Sequence, residues 1–289
     1  MTFQKQTYEL FKPIIAKYFK NLKELELDLR RSRLKTPPEE WVALSLFASI
    51  VVFVAAFTFV LIFSLLLSQK LLLVFVISLG IAVVSALFAF LFMYNYPKLT
   101  ADERKKKIEN ALPFATLYLA ALSRAGLPPN YMFKLLSRFK EYGELSKEAA
   151  KISSDTETLG LDITEALTRA IARSPSPTWT ELLAGIKTTL TIGGDVGDFL
   201  NEKANGFVEG YSRKLQEFSS FLSLLIEIYI TLIITGAIFF IIISSVMSSI
   251  GAVPVSLLKA ANILIVGVGI PMLTAMFIIV AKGVSPLED

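Results

Sequence analysis

Asp195, preceded by Gly193 and Gly194, is the part of this sequence closest to a chemical motif. Membrane aspartyl proteases use a Gly-x-Gly-Asp aspartate together with a second aspartate inside the membrane. Here the triplet is Gly-Gly-Asp, it lies outside the long apolar runs, and no apolar run contains an aspartate. We therefore reject a protease, and two interpretations stay open: a surface that contacts a partner protein, or a left-handed turn followed by a helix N-cap.

Three other charged residues stand out by their positions. Glu227 directly precedes the apolar run 228–258 and is the only charged residue within the predicted membrane spans, and a carboxylate in the membrane is a functional candidate by default. It would either hydrogen-bond to another membrane helix or reach the headgroup level. Arg124 and Arg173 lie near predicted helix ends, where they would either dock a partner or form ion pairs within their own domain.

The chain contains no cysteine and no histidine. Disulfides, thiolate nucleophiles, Ser-His and Cys-His catalysis, haem ligation and most transition-metal sites are therefore excluded. No Gly-rich phosphate loop ending in Lys and Ser or Thr occurs, so no nucleotide site is predicted. We expect no enzymatic activity, no cofactor and no metal site.

Four long runs without a charged residue, 41–67, 71–96, 228–258 and 260–281, must position these groups. Each exceeds the roughly 20 residues that a helix needs to cross a hydrocarbon core of about 30 Å. We predict transmembrane helices at 41–67, 71–96, 221–248 and 260–281. The first run is too long for the core of a signal peptide, so no cleavable signal peptide is expected.

The basic residues predict the orientation of these spans. Segment 1–40 carries nine Lys and Arg residues and segment 97–220 carries 17, whereas the other two loops have only Lys70 and Lys259. Because loops rich in Lys and Arg stay in the cytoplasm, we place segment 1–40, the central region and the tail 282–289 on the cytoplasmic side of the cell (inner) membrane. A cluster before the first span is predicted to bind membrane lipid headgroups; it comprises Arg30, Arg31, Arg33 and Lys35.

The central region, 100–220, has the apolar spacing of helices and almost no alternating stretch. We predict an all-α fold: a polytopic membrane protein with four transmembrane helices and a cytoplasmic bundle of about six helices. One bundle helix should end at Gly126, and others should start at Asp162, at a capping box from Thr178 to Glu181, and at Asp195. No breaker follows Asp195, so a single helix should continue into the third span. Segment 1–40 is amphipathic and should pack on the domain or the membrane surface. Because 16 acidic residues accompany the 17 basic ones in segment 97–220, no nucleic-acid partner is expected.

Three stretches and one long helix, in this order, resemble the type II secretion F-domain family. The stretches are 119–136 (LAALSRAGLPPNYMFKLL), 159–172 (LGLDITEALTRAIA) and 190–200 (LTIGGDVGDFL), and the helix runs through Phe221 into the third span. The family comprises inner-membrane platform proteins of type IV pilus, tight-adherence and archaeal flagellum machines. The sequence has one such domain where many relatives have two, so we expect it to form a homo-oligomer or to pair with a paralogous one-domain platform protein.

The resemblance implies a non-enzymatic scaffold that couples a cytoplasmic hexameric secretion ATPase to the insertion or extraction of pilin-like subunits. Candidate ATPase contacts are Gly193, Gly194, Asp195, Arg124 and Arg173, and Glu227 is a candidate contact within the membrane. The alternative function is a small-molecule or ion transporter. It is disfavoured because the spans contain one carboxylate and no basic residue, whereas transport paths usually need several polar groups.

Overall fold

A computed structural model of the protein describes residues 7–9, 11–13, 15, 22–66, 71–251 and 254–283. These residues are overwhelmingly helical and contain no strand, so the predicted all-α fold is confirmed. The helices are α1 (Lys23–Ser32), α2 (Pro38–Leu66), α3 (Leu71–Arg124), α4 (Pro129–Leu136), α5 (Gly143–Glu157), α6 (Ile163–Arg173), α7 (Pro177–Ile192), α8 (Val196–Ile250), α9 (Val255–Leu264) and α10 (Ile270–Gly283). A short 3-10 turn, Lys140–Tyr142, precedes α5, and a π-helical turn, Ile265–Gly269, joins α9 to α10.

Four helical segments are long and apolar enough to cross a membrane, as the sequence predicted. They are Pro38–Phe63, Phe75–Arg124, Val196–Ile250 and Ser256–Gly283. Large apolar side chains such as Phe59 and Phe88 are exposed along them, which suits contact with lipid. The protein is therefore a membrane protein. The loop between the first two predicted spans, residues 68–70, lies outside the described residues.

Helix α3 extends well beyond the predicted span 71–96. It continues for 54 residues through Pro97 and Pro113 and ends at Arg124, so at ~1.5 Å per residue it is about 80 Å long. Each internal proline removes one backbone hydrogen bond, but the helix continues through both. Gly126, with φ of +78°, then ends it in a left-handed turn as predicted. One helix thus provides both a membrane span and a bundle helix.

The chain forms two compact units, one up to Ala204 and one from Asn205 onward. Helix α8 runs without interruption for 55 residues and includes residues of both units. The prediction of one long helix starting beyond Asp195 is therefore confirmed.

Two helix starts in the first unit show how local sequence sets the caps. Asp162 caps α6 by accepting a hydrogen bond from the Thr164 amide at 2.9 Å, as predicted. The capping box predicted at Thr178 is wrong, because the N-cap of α7 is Ser176, whose hydroxyl accepts from the Trp179 amide. Pro177 explains the shift, since proline favours the first helical position and leaves the cap to the residue before it.

The bundle core is apolar and is contributed by α3 to α8. Its fully buried side chains include Ile108, Leu112, Leu119, Phe133, Leu136, Ile152, Leu167, Trp179, Leu183 and Leu200. The rings of Phe133 and Trp179 meet edge to face with centroids 6.3 Å apart. A second cluster forms where Leu25 and Leu29 of α1 pack with Trp41 and Val42 of α2. The part of the amphipathic N-terminal segment that the structure describes therefore packs on the protein, which is one of the two placements that the sequence left open.

Helices α7 and α8 approach each other closely at Gly185, where the tip of the Phe199 ring points at the glycine backbone. A Cβ atom at Gly185 would stand 2.1 Å from Cζ of Phe199. Lys203 lies over the same ring, 6.0 Å from its centroid, and its Nζ pairs with Oε1 of Glu181 at 2.8 Å. The α7–α8 packing therefore requires a glycine at position 185.

We predict that Gly185→Ala destabilises the protein by about 1–3 kcal/mol, because the Phe199 ring has to move out of a packed position. Thermal unfolding of the purified protein in detergent measures the effect. Gly206→Ala in α8 is the matched control, since a Cβ there meets nothing within 4 Å. It should be neutral or stabilising, because alanine favours helix. Equal unfolding temperatures for the two variants would contradict this description of the α7–α8 contact.

Candidate functional site

Three arginines from separate parts of the first unit surround one buried carboxylate on α5. Glu148 is only 1% exposed, and its Oε1 accepts from Nη2 of Arg33 at 2.9 Å and from Nη2 of Arg104 at 2.8 Å. Nε of Arg173 lies 3.5 Å from Oε2, and its Nη1 donates to Asp155 at 2.9 Å. A buried charge is tolerated only when it is paired in this way. We call this set, together with Glu144, the Glu148 network.

Glu144, one turn before Glu148, is the second acidic centre of the network. It accepts from Nε of Arg104 at 2.8 Å and from Lys147 at 2.6 Å, and Nη1 of Arg33 lies 3.6 Å away. Burial acts to raise the pKa of Glu144. Hydrogen bonds from Lys147 and Arg104 and the positive charges of Arg104 and Arg33 outweigh burial and lower this pKa to about 2. Glu144 is therefore ionised at neutral pH.

The network ties α1 to the bundle. Arg33 follows α1 in a left-handed conformation with φ of 61°, and Arg104 also donates through Nη1 to the carbonyl oxygen of Arg31. Arg33 was predicted to bind lipid headgroups, but its guanidinium pairs with Glu144 and Glu148. The lipid-anchor prediction is therefore wrong for Arg33. Local charge density could not reveal a carboxylate 115 residues further along the chain.

The Gly193–Gly194–Asp195 turn joins α7 to α8. Gly193 is in the left-handed region with φ of +72°, and the Gly194 amide donates to the carbonyl of Thr189 at 2.9 Å, which closes the end of α7. Oδ1 of Asp195 accepts from the amides of Gly197 at 2.6 Å and Asp198 at 3.2 Å. The turn-and-cap interpretation is therefore correct for the geometry. All three residues of the turn are exposed, so the structure also leaves them accessible to a partner.

Arg124 lies at the same end of the bundle as this turn. Gly197 is buried against the neighbouring Ser123, since a Cβ on Gly197 would lie 3.2 Å from its Oγ. Both Arg124 and the turn are exposed. Ile192, the last residue of α7, is 76% exposed beside them, and sequence analysis missed it. We call Arg124 together with Ile192, Gly193, Gly194 and Asp195 the turn surface.

Arg173 does not belong to the turn surface. It lies at the end of α6 just before α7 begins, and the neighbouring Ser176 hydroxyl donates to Glu109 of α3 at 3.1 Å. The 16 residues of α7 span about 24 Å and separate this region from Gly193. The structure therefore brings together four of the five candidate contacts and places Arg173 in the Glu148 network.

Comparison with known proteins bears on this geometry. Residues 115–244, from the second half of α3 to α8, match the family "Type II secretion system (T2SS), protein F". The chain carries a type II secretion F-domain. In this F-domain the turn surface and the core of α4 to α7 lie within the matched residues, whereas Arg33 and Arg104 of the Glu148 network precede them.

Curated relatives come from the archaeon Methanocaldococcus jannaschii. An uncharacterized protein, MJ1286, is 30% identical over 158 residues, which is 55% of this chain and 27% of that protein. Flagella accessory protein J is 26% identical over 146 residues, which is 50% of this chain and 26% of that protein. The chain thus spans about a quarter of the length of these relatives. No solved structure matches it.

Glu227 lies on α8 in the second unit, within the residues that match the family. Its side chain is exposed, and no hydrogen bond or ion pair joins it to another residue that the structure describes. Nearby, the Tyr229 hydroxyl lies 2.9 Å from that of Thr274, which links α8 to α10. Nowhere in the described parts of the chain do three acidic side chains form a group that could hold a metal ion.

We predict that Glu148→Gln lowers the free energy of unfolding by about 3–5 kcal/mol, because three arginines lose their shared buried anion. Denaturant or thermal unfolding in detergent measures this loss. Glu165→Gln is the matched control: Glu165 pairs with Arg169 one turn away, but both side chains are about half exposed. It should cost at most about 0.5 kcal/mol. If Glu148→Gln lowers the free energy of unfolding no more than Glu165→Gln does, the network does not stabilise the protein.

Acid should weaken the same network through Glu144. The pKa of Glu144 lies below its ordinary value of 4.5, at about 2, so its contribution to stability is present above pH 4.5 and is lost as the pH falls toward 2. We expect the unfolding temperature to fall over this window. In Glu144→Gln this part of the fall should be absent. If the unfolding temperatures of the wild type and Glu144→Gln depend on pH in the same way, Glu144 is not the source of this acid sensitivity.

Proposed function

We propose that the protein is the membrane platform of a type IV filament or secretion machine, and that it has no catalytic activity of its own. The F-domain carries this proposal, supported by spans on both sides of a helical bundle and by the likeness to Flagella accessory protein J. In this role the bundle receives motion from a hexameric secretion ATPase and transmits it to pilin-like subunits in the membrane.

The proposed orientation puts the bundle in the cytoplasm, together with segment 1–40 and the tail. Of the 29 Lys and Arg residues, nine lie in 1–40 and 17 in 97–220. Basic loops are retained on the cytoplasmic side during insertion. A bundle on that side is accessible to an ATPase, which requires cytoplasmic nucleotide.

The turn surface is our candidate for the ATPase contact. It is exposed, it combines a cation, an anion and a large apolar side chain, and its glycines bring the backbone close to the surface. Docking there would push on the first residue of α8. Since α8 is one uninterrupted helix, a displacement near Asp195 would be carried along its axis toward Glu227, our candidate for a contact with a pilin-like subunit. Arg173 would contribute indirectly, by holding α6 to α5.

Two substitutions at Asp195 separate its capping role from a role in binding. Asn caps helices as well as Asp does, whereas Ala costs about 1 kcal/mol. If the Asp195 carboxylate contacts the ATPase, Asp195→Asn should weaken binding of the full-length protein in nanodiscs to its ATPase while leaving the unfolding temperature unchanged. If Asp195 is only a cap, Asp195→Asn should bind normally.

Arg124→Glu and Ile192→Asp extend this test across the turn surface, because both side chains are exposed and should tolerate substitution without unfolding. Each should weaken ATPase binding, and a cell producing either variant should assemble fewer filaments. Glu165→Gln, on α6, is the control and should bind normally. Normal ATPase binding by the Asp195→Asn, Arg124→Glu and Ile192→Asp variants would rule out this surface. Loss of the whole protein without any defect in filaments or secretion would refute the platform function itself.

A further inference from the structure

A lateral cavity of about 360 Å³ opens between α8 and the helical run from α9 to α10. Its lining is almost wholly apolar, and it includes Gly236 and Phe240 on α8 and Gly269 and Leu273 on the facing run. The π-helical turn Ile265–Gly269 forms part of the wall, and such turns widen a helix locally. The cavity lies entirely within the second unit.

Packing within this unit does not account for the glycines that line the cavity. A Cβ on Gly236 would meet nothing within 4 Å, and one on Gly269 would meet only a side-chain carbon of Ile265 at 3.9 Å. Small residues at these positions keep a space open that the protein's own side chains leave unfilled.

One end of the cavity continues into a polar recess. The two share Ile241, Asn262 and Val266, and the recess adds Lys259 and three serines, Ser244, Ser245 and Ser248. Lys259 is the only residue in the stretch 228–281 that is charged at neutral pH. Its side chain is exposed, and the structure pairs it with no carboxylate among the described residues. This recess therefore offers one uncompensated positive charge and several hydroxyl groups, which complement a phosphate.

The length of the groove matches one leaflet of a bilayer. From Lys259 to Ile270 the chain advances 11 residues, which is about 16 Å of helix. Half of a hydrocarbon core about 30 Å thick is about 15 Å. A lipid places its phosphate at the interface and its acyl chain over that depth, whereas a partner helix would cross the whole core.

We propose that this groove binds one anionic phospholipid, with its phosphate at Lys259 and the serines and one acyl chain along Gly236 and Gly269. A lipid held there would fill the space between the last two spans and fix their separation. The site does not depend on the platform function, since it is built from the second unit alone.

Native mass spectrometry of the full-length protein, titrated in detergent with phosphatidylglycerol or phosphatidylcholine, tests the site. The wild type should bind phosphatidylglycerol more tightly. Lys259→Gln should weaken phosphatidylglycerol binding about 5-fold, the factor that corresponds to one basic residue near an anionic lipid, and should leave phosphatidylcholine binding unchanged. Gly236→Leu should weaken binding of both lipids, because its side chain enters the acyl-chain space. Lys282→Gln, at the opposite end of the last helix, is the charge-matched control and should bind like the wild type.

Three results would overturn the proposal. The first is equal affinity of the wild type for the two lipids, and the second is unchanged phosphatidylglycerol affinity in Lys259→Gln. The third is a Gly236→Leu protein that keeps its lipid affinity but changes from oligomer to monomer, which would assign the groove to a helix of a second copy. Gly236 and Lys259 both face open space. The unfolding temperatures of Gly236→Leu and Lys259→Gln should therefore match that of the wild type, which verifies that each variant is folded.

Discussion

The pairing of the buried Glu148 carboxylate with three guanidinium groups is the interaction on which the first unit depends. A carboxylate that is 1% exposed must be neutralised by partners that do not move away, because an unpaired charge in that position costs several kcal/mol. Arg33, Arg104 and Arg173 reach it from the segment after α1, from α3 and from α6. Sliding any of these elements by one helical turn would break the set, so the network fixes their register.

The turn surface lies at the end of the bundle opposite the Glu148 network. It lies about 24 Å along α7 from the network. Its residues are exposed, and the Asp195 cap fixes the backbone of the turn. A contact there acts on a bundle whose α3 continues into a membrane span and whose α8 continues beyond the unit. The bundle therefore has an exposed surface at one end of α7 and a buried ion-pair network at the other.

Local patterns in the sequence were sufficient for features that depend on neighbouring residues. The apolar runs predicted the four membrane helices, and Asp162 and Asp195 predicted two caps, because each needs only residues within one or two turns. The Thr178 cap failed because the preference of Pro177 for the first helical position decided the start of α7. The Glu148 network was beyond local reasoning, since its partners lie 44 and 115 residues from Glu148. Exposure of Ile192 likewise depends on how α7 ends, which its apolar character does not indicate.

Backbone hydrogen exchange in α1 is the most direct measurement of whether the network unites this unit. Amides from Glu26 to Ser32 in the wild-type protein should exchange as slowly as those of α5, because Arg33 and Arg104 hold α1 on the bundle. Exchange in α1 at the rate of an unstructured peptide, while α5 remains protected, would show that the segment before the first span is not held by the Glu148 network and would contradict this account.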